Sequence, residues 1–331
     1  MAKPKLALYW AASCGGCEIA VIDIEAKILD VADFFDIVFW PCVMDFKYKD
    51  VEALPDGDIT VCLFNGAIRT SENEYMAKLL RAKSKVLVAF GSCAGEGCIP
   101  ALGNFYDKKT IFDYAYNESP SVDESSKGVY PETHTQVPEG EIEIPEFWNT
   151  VKTLDQVVDV DYYIPGCPPQ STQIAAAIEA VIDILKNGKP LPPKGTFLGA
   201  GDKTCCDECP RERKEKKIKR FYRPQEIEID PDECLLDQGI LCMGPATRSG
   251  CDALCPKANI GCRGCYGPAP GILDQGAKMV SALGSVIDAT NPEEARKVIE
   301  TLADPMGTFY RFSMAASLLR RVQIKSNNNS K

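Results

Sequence analysis

Through the first half of the chain, apolar residues fall in short blocks separated by small or acidic ones. Lys5 to Trp10 is such a block and reads as a buried strand. Ile37 to Trp40, Ile59 to Phe64, Lys85 to Phe90 and Val157 to Ile164 read the same way. Between the blocks the period changes. Ile19, Ile22, Ala26 and Leu29 recur at helical spacing, and Ser71 with Glu74 makes a capping-box pair opening a helix to about Ala82. A third helix is expected from about Ser171 to Leu185, stopped by Asn187 and Gly188 in the manner of a C-cap. Strand, helix and strand over Ile59 to Phe90 form a βαβ unit, which implies a parallel sheet with a right-handed crossover.

The rhythm breaks twice. Residues 103 to about 150 are rich in Pro, Glu, Ser and Tyr, and are expected to be a long insertion with little regular structure. Lys189 to Lys194 carries three prolines and marks a domain boundary. Beyond it the strand pattern is gone. Stretches 272–288, 292–303 and 309–322 look helical, the second opened by Asn291, Pro292 and Glu293. The polar tail 326–331 is expected to be disordered. The fold class is therefore α/β: a flavodoxin-like parallel-sheet domain, 1–195, followed by an irregular domain with C-terminal helices, 196–331.

Charge and composition narrow the function. The 331 residues carry a net charge of −10, which argues against nucleic acid as a partner, since such binding rests on basic contacts to phosphate. No run approaches twenty apolar residues, so no transmembrane segment is expected. No secretory signal precedes the first strand, which points to the cytoplasm. There, sixteen cysteines bind metal or catalyse more readily than they form disulfides.

Nine of the sixteen lie between Cys205 and Cys265: Cys205, Cys206, Cys209, Cys234, Cys242, Cys251, Cys255, Cys262 and Cys265, with no histidine among them. Two Cys-x-x-Cys pairs can build a zinc ribbon, but eight thiolate ligands without histidine suit two cubane 4Fe-4S clusters better. In the first domain, Cys14 and Cys17 follow the first strand, Cys93 a later one and Cys167 the last. Strand carboxyl ends of an open parallel sheet meet at one edge, so these four thiolates can converge on a third cluster. Gly15, Gly16, Gly91 and Gly166 let backbone N–H groups approach the sulfurs. Cys42, Cys62 and Cys98 read as ordinary buried cysteines.

The chain resembles the small subunit of nickel–iron hydrogenases along nearly its full length. The residues that carry the likeness are Cys14-Gly-Gly-Cys17-Glu18, Gly91-Ser92-Cys93, Pro165-Gly166-Cys167-Pro168-Pro169, Cys234 through Cys242-Met-Gly-Pro245, and Cys262-Arg-Gly-Cys265. The resemblance implies a proximal cluster on Cys14, Cys17, Cys93 and Cys167, nearest a nickel–iron site in a large subunit. It implies a distal cluster on Cys206, Cys209, Cys234 and Cys242, and a medial one on Cys251, Cys255, Cys262 and Cys265. Cys205 beside Cys206 leaves the ligand there open by one residue. Periplasmic members use a distal histidine where Cys206 falls, and several have a proline where Cys255 falls. This chain therefore looks like the cytoplasmic methanogen type, most of all the F420-non-reducing enzyme that feeds heterodisulfide reductase.

On that resemblance the chain passes electrons from H2 oxidation in the large subunit, through three 4Fe-4S clusters, to an iron–sulfur or flavin partner such as the heterodisulfide reductase complex. Glu18 would lie on a proton route, and no catalytic residue lies in this chain itself. The alternatives are the small subunit of a coenzyme F420-reducing hydrogenase, the cluster subunit of a quinone-linked respiratory complex, and a non-redox zinc scaffold. The mixed basic run Arg211 to Arg220 reads as a solvated helix or linker, His134 as a plain loop residue, and Met306, Phe309, Tyr310, Phe312 and Met314 as helical core.

Overall fold

The computed structural model describes residues 3–214 and 218–320. Six parallel strands form the central sheet: β1 (Lys5–Trp10), β2 (Asp36–Phe39), β3 (Ile59–Asn65), β4 (Ser84–Phe90), β5 (Tyr162–Ile164) and β6 (Thr196–Phe197). Their spatial order is β2-β1-β3-β4-β5-β6, so the order reverses between β1 and β3, as in flavodoxin-like sheets. The alternation of a pleated strand explains the two cores. Leu6, Leu8, Val61, Leu63, Val88 and Phe90 face Ala20, Val21, Val31 and Ile174 on one side. Ala7, Tyr9, Cys62, Phe64, Leu87 and Ala89 face Val51, Met76, Ala77 and Leu80 on the other. Helices Gly16–Ile22, Lys27–Phe34 and Ser171–Asn187 thus cover one face and Ser71–Lys83 the other.

Several expectations are corrected in detail. The helix read through Ile19 to Leu29 is two helices, broken where Glu25 takes a left-handed φ of 58°. The helix at 71 is capped one residue early: Thr70 accepts the Asn73 N–H (3.3 Å) and Asn73 accepts the Thr70 N–H (3.2 Å). Glu74 instead pairs with Lys78 at 2.7 Å. The strand expected from Val157 shrinks to Tyr162–Ile164. Gly188 does end its helix in the left-handed conformation, φ 63°.

Residues 103–150 are more regular than their composition implies. They hold a helix, Lys108–Asp113, a hairpin of His134–Val137 with Gly140–Glu143, and the first part of a strand, Phe147–Lys152, paired antiparallel to Ile68–Thr70. Asn104 anchors that strand by accepting the Val151 N–H (2.8 Å) and donating to the Val151 carbonyl (2.9 Å).

Past the sheet, regular structure among the described residues thins to short turns and the helices Leu254–Lys257, Gln275–Gly284, Pro292–Glu300 and Pro305–Phe309. No helix fills 309–320. Phe312, Ser313, Met314 and Ala315 are all buried, which one helix face cannot achieve for four successive residues. Positions 321–322 and the tail 326–331 lie outside the described residues. The cysteine-rich second half packs its core, including Leu235, Ile240 and Met279, against Ala67, Ala101, Phe105 and Val151 of the first half. Among the described residues, no helix is long and apolar enough to cross a membrane.

Candidate iron–sulfur site

The three loops expected to converge do so at the carboxyl edge of the sheet. Gly91 N–H donates to the Ile164 carbonyl and Ser92 N–H to the Gly166 carbonyl, both at 2.8 Å, locking the Cys93 loop to the Cys167 loop. A Cβ on Gly91, whose φ is 81°, would lie 2.4 Å from Cys17 Sγ. Only glycine fits there, both by conformation and by space. Cys14 sits at the exposed rim, its sulfur accepting the Gly16 N–H at 3.4 Å. Burial, Glu18, Cys167 and Cys14 all push the Cys17 thiol up. Thiolates crowded this way repel one another and are stable together only when a cation neutralises them.

Cys98 corrects its plain-core reading. It is buried, but its thiol is 3.5 Å from Cys167 Sγ and also hydrogen-bonds to Cys93. Cys42 is exposed rather than buried, while Cys62 does fill the sheet core. Glu18 is buried beside Cys17 and accepts a 2.6 Å hydrogen bond from Asn65 Nδ2. Burial raises its pKa, against that bond. Trp10, Ile19, Ile22, Val43 and Met44 are each more than two-fifths exposed, and Trp10 lies against the Cys14 loop, its Nε1 donating to the Ser13 carbonyl at 3.1 Å.

The second group is Cys251, Cys255, Cys262 and Cys265, and Cys205 belongs with it. The Cys205 thiol hydrogen-bonds to Cys251 and Cys262; these bonds push its own thiol up and pull Cys251 down to about 7 and Cys262 down as well. Backbone N–H groups of Ala253, Leu254 and Gly264 also reach these sulfurs. Cys265 touches the first group: it packs with Cys93, Cys98, Cys167 and Phe312, and Ser92 Oγ donates to its carbonyl. Glu96, on the turn after Cys93, is pushed up to about 8 by burial, with Arg248 pulling the other way.

The third group is Cys206, Cys209, Cys234 and Cys242, which line one small cavity with Arg211, Arg213 and Gly244. A Cβ on Gly244 would lie 2.9 Å from Cys206 Sγ and 3.5 Å from Cys242 Sγ. Burial raises Cys206 to about 11 despite Arg213. Cys242 Sγ accepts the Cys262 N–H at 3.2 Å, so this group abuts the second. At the position left open, both residues line this cavity; Cys206 Sγ lies against Gly244, whereas the Cys205 thiol also hydrogen-bonds to Cys251 and Cys262.

Arg211 was missed. It is buried, not solvated: Nε donates to the Pro256 carbonyl (2.9 Å), Nη1 to the carbonyls of Asp230 (2.7 Å) and Glu233 (2.9 Å), and Nη2 to Asn259 Oδ1. The described residues of the run form no helix, and residues 215–217 lie outside the described residues. Nothing in a mixed basic run separates this arginine from its neighbours. The donor set fits iron–sulfur clusters: grouped soft thiols, N–H groups aimed at sulfur, and glycines that leave space against them. Among the described residues, no three Cys, His, Asp or Glu side chains close around a single ion.

A parallel sheet with cysteines gathered at its carboxyl edge is the architecture of a cluster-bearing redox protein. Comparison with known proteins agrees. The family described as the 20 kDa subunit of NADH ubiquinone oxidoreductase matches residues 14–181. An iron–sulfur subunit of the F420-non-reducing hydrogenase of Archaeoglobus profundus is 41% identical over 97% of this chain and 99% of its own length. Its counterpart in the F420-non-reducing hydrogenase of Methanothermobacter marburgensis is 37% identical over 96% of each. Among solved structures, an NAD+-reducing [NiFe]-hydrogenase in the H2-reduced state aligns at 26% identity over 58% of this chain and 96% of that one, with a TM-score of 0.48. The chain belongs to the F420-non-reducing hydrogenase small-subunit family, the methanogen type of nickel–iron hydrogenase small subunit. It is one component of an oxidoreductase, with an electron-transfer role.

Proposed function

We propose that the chain holds three 4Fe-4S clusters and delivers electrons from H2 oxidation in a nickel–iron large subunit to an iron–sulfur or flavin acceptor, such as the heterodisulfide reductase complex, in the cytoplasm. Cys14, Cys17, Cys93 and Cys167 would hold the proximal cluster, Cys251, Cys255, Cys262 and Cys265 the medial one, and Cys206, Cys209, Cys234 and Cys242 the distal one. Bound there, the clusters would supply one-electron transfer. The chain's own part is to present thiolates, aim N–H groups at sulfur and exclude water, which together set the potentials.

The observation that carries this reading is the continuity of the sulfur groups. Cys265 packs against the first, and the Cys262 N–H reaches the sulfur of Cys242 in the third. Exposed Trp10 and Ile19, flanking the Cys14 loop, mark the face offered to the large subunit, and Glu18, buried beside Cys17, is the candidate proton carrier.

Anaerobically purified protein should be brown and contain about twelve irons per chain, four for each cubane. Cys93→Ser should lose about a third of that iron. Colourless protein with bound zinc would reject the reading, and unchanged iron in the variant would reject the proximal assignment.

A further inference from the structure

Besides Cys265 of the second group, a fifth sulfur of the first domain lies against Cys167 and Cys93. Cys98 is the fifth, and its backbone is unusual. Its φ is 48° and its ψ −144°, next to a region that only glycine occupies without strain. The Cys98 N–H, donating to the Phe312 carbonyl at 3.0 Å, pins the chain there. A cysteine held in a glycine's conformation, fully buried, with its sulfur on two other sulfurs, is more than core filler.

Its contacts say which role it takes. A cubane binds one protein sulfur at each of four irons, and ligands on different corners diverge. A sulfur in hydrogen-bond contact with another, as Cys98 is with Cys167 at 3.5 Å, does not occupy a neighbouring corner. The bond runs from Cys98 Sγ to Cys167 Sγ, which makes Cys98 the donor of the pair.

Resting on the cluster reading above, we propose that Cys98 stays a thiol beside the proximal cluster and donates its S–H to the sulfurs of Cys167 and Cys93. It acts through those ligands as a positioning residue that raises the electron affinity of the site, because a donor at sulfur favours the reduced, more negative cluster.

The test is a redox titration, followed by electron paramagnetic resonance, of the hydrogenase complex carrying Cys98→Ala, Cys98→Gly or Cys98→Ser. Glycine relieves the backbone and guards against a folding defect. Alanine and glycine should keep the full iron content and shift the proximal midpoint potential to more negative values. Serine, which keeps a donor, should restore part of that shift. Unchanged potentials in both the alanine and glycine variants would overturn the proposal. Iron loss in both would also overturn it, by making Cys98 a ligand. If the unaltered complex gave no cluster signal, the cluster reading itself would fail before any variant was compared.

Discussion

Four hydrogen bonds from one guanidinium tie together the segments that flank Cys209, Cys234 and Cys255. Arg211 replaces the solvent that the carbonyls of Asp230, Glu233 and Pro256 would otherwise need. Removing it strands those acceptors. Arg211→Met should lower stability by about 3 kcal/mol, measured by denaturant unfolding, and should also reduce iron retained by the third cysteine group. At this scale legibility was uneven. The cysteines stood out because they sit beside glycine or proline in loops after strands, where a plain core thiol has no reason to be. Cys98 did not, because its signal is a backbone angle and a contact between residues 69 positions apart. Arg211 did not, because burial of one charge in a basic run depends on partners far along the chain.

Among elements, the strands were legible where both faces are buried, since their apolar runs are continuous. The hairpin within 134–143 was not. Its residues are exposed on both faces, so no alternation marks it. The turns after Tyr310 defeated a periodic reading because burial there follows contact with other segments rather than a helix face. Two glycines separate element stability from site geometry. Gly188 caps its helix with open space around it, so Gly188→Ala should cost only about 1 kcal/mol and leave iron unchanged. Gly91→Ala drives a methyl into Cys17 Sγ and should lose the iron of the first group. Metal analysis beside thermal unfolding distinguishes the two.

For the molecule as a whole, Asp161 is a keystone at the β5 edge. Burial pushes its carboxyl up, but Lys194 (2.6 Å), Arg81 (2.6 Å) and the Leu87 N–H outweigh this and hold it below the usual range. A carboxyl depressed in the folded state contributes stability above its unfolded pKa of about 3.9, and that contribution is lost as pH falls through the folded value. Stability of the unaltered protein should therefore drop as pH falls below about 4. Asp161→Asn should be less stable at neutral pH and show a shallower fall in acid, as followed by unfolding midpoints from neutral to acid pH.

The exposed apolar side chains flanking the Cys14 loop have a practical consequence. A contiguous oily patch in water seeks another surface. Produced without its companion, the chain would bury Trp10 and Ile19 against its own copies, sedimenting as aggregates. Joint production with that companion would return it to a single discrete species.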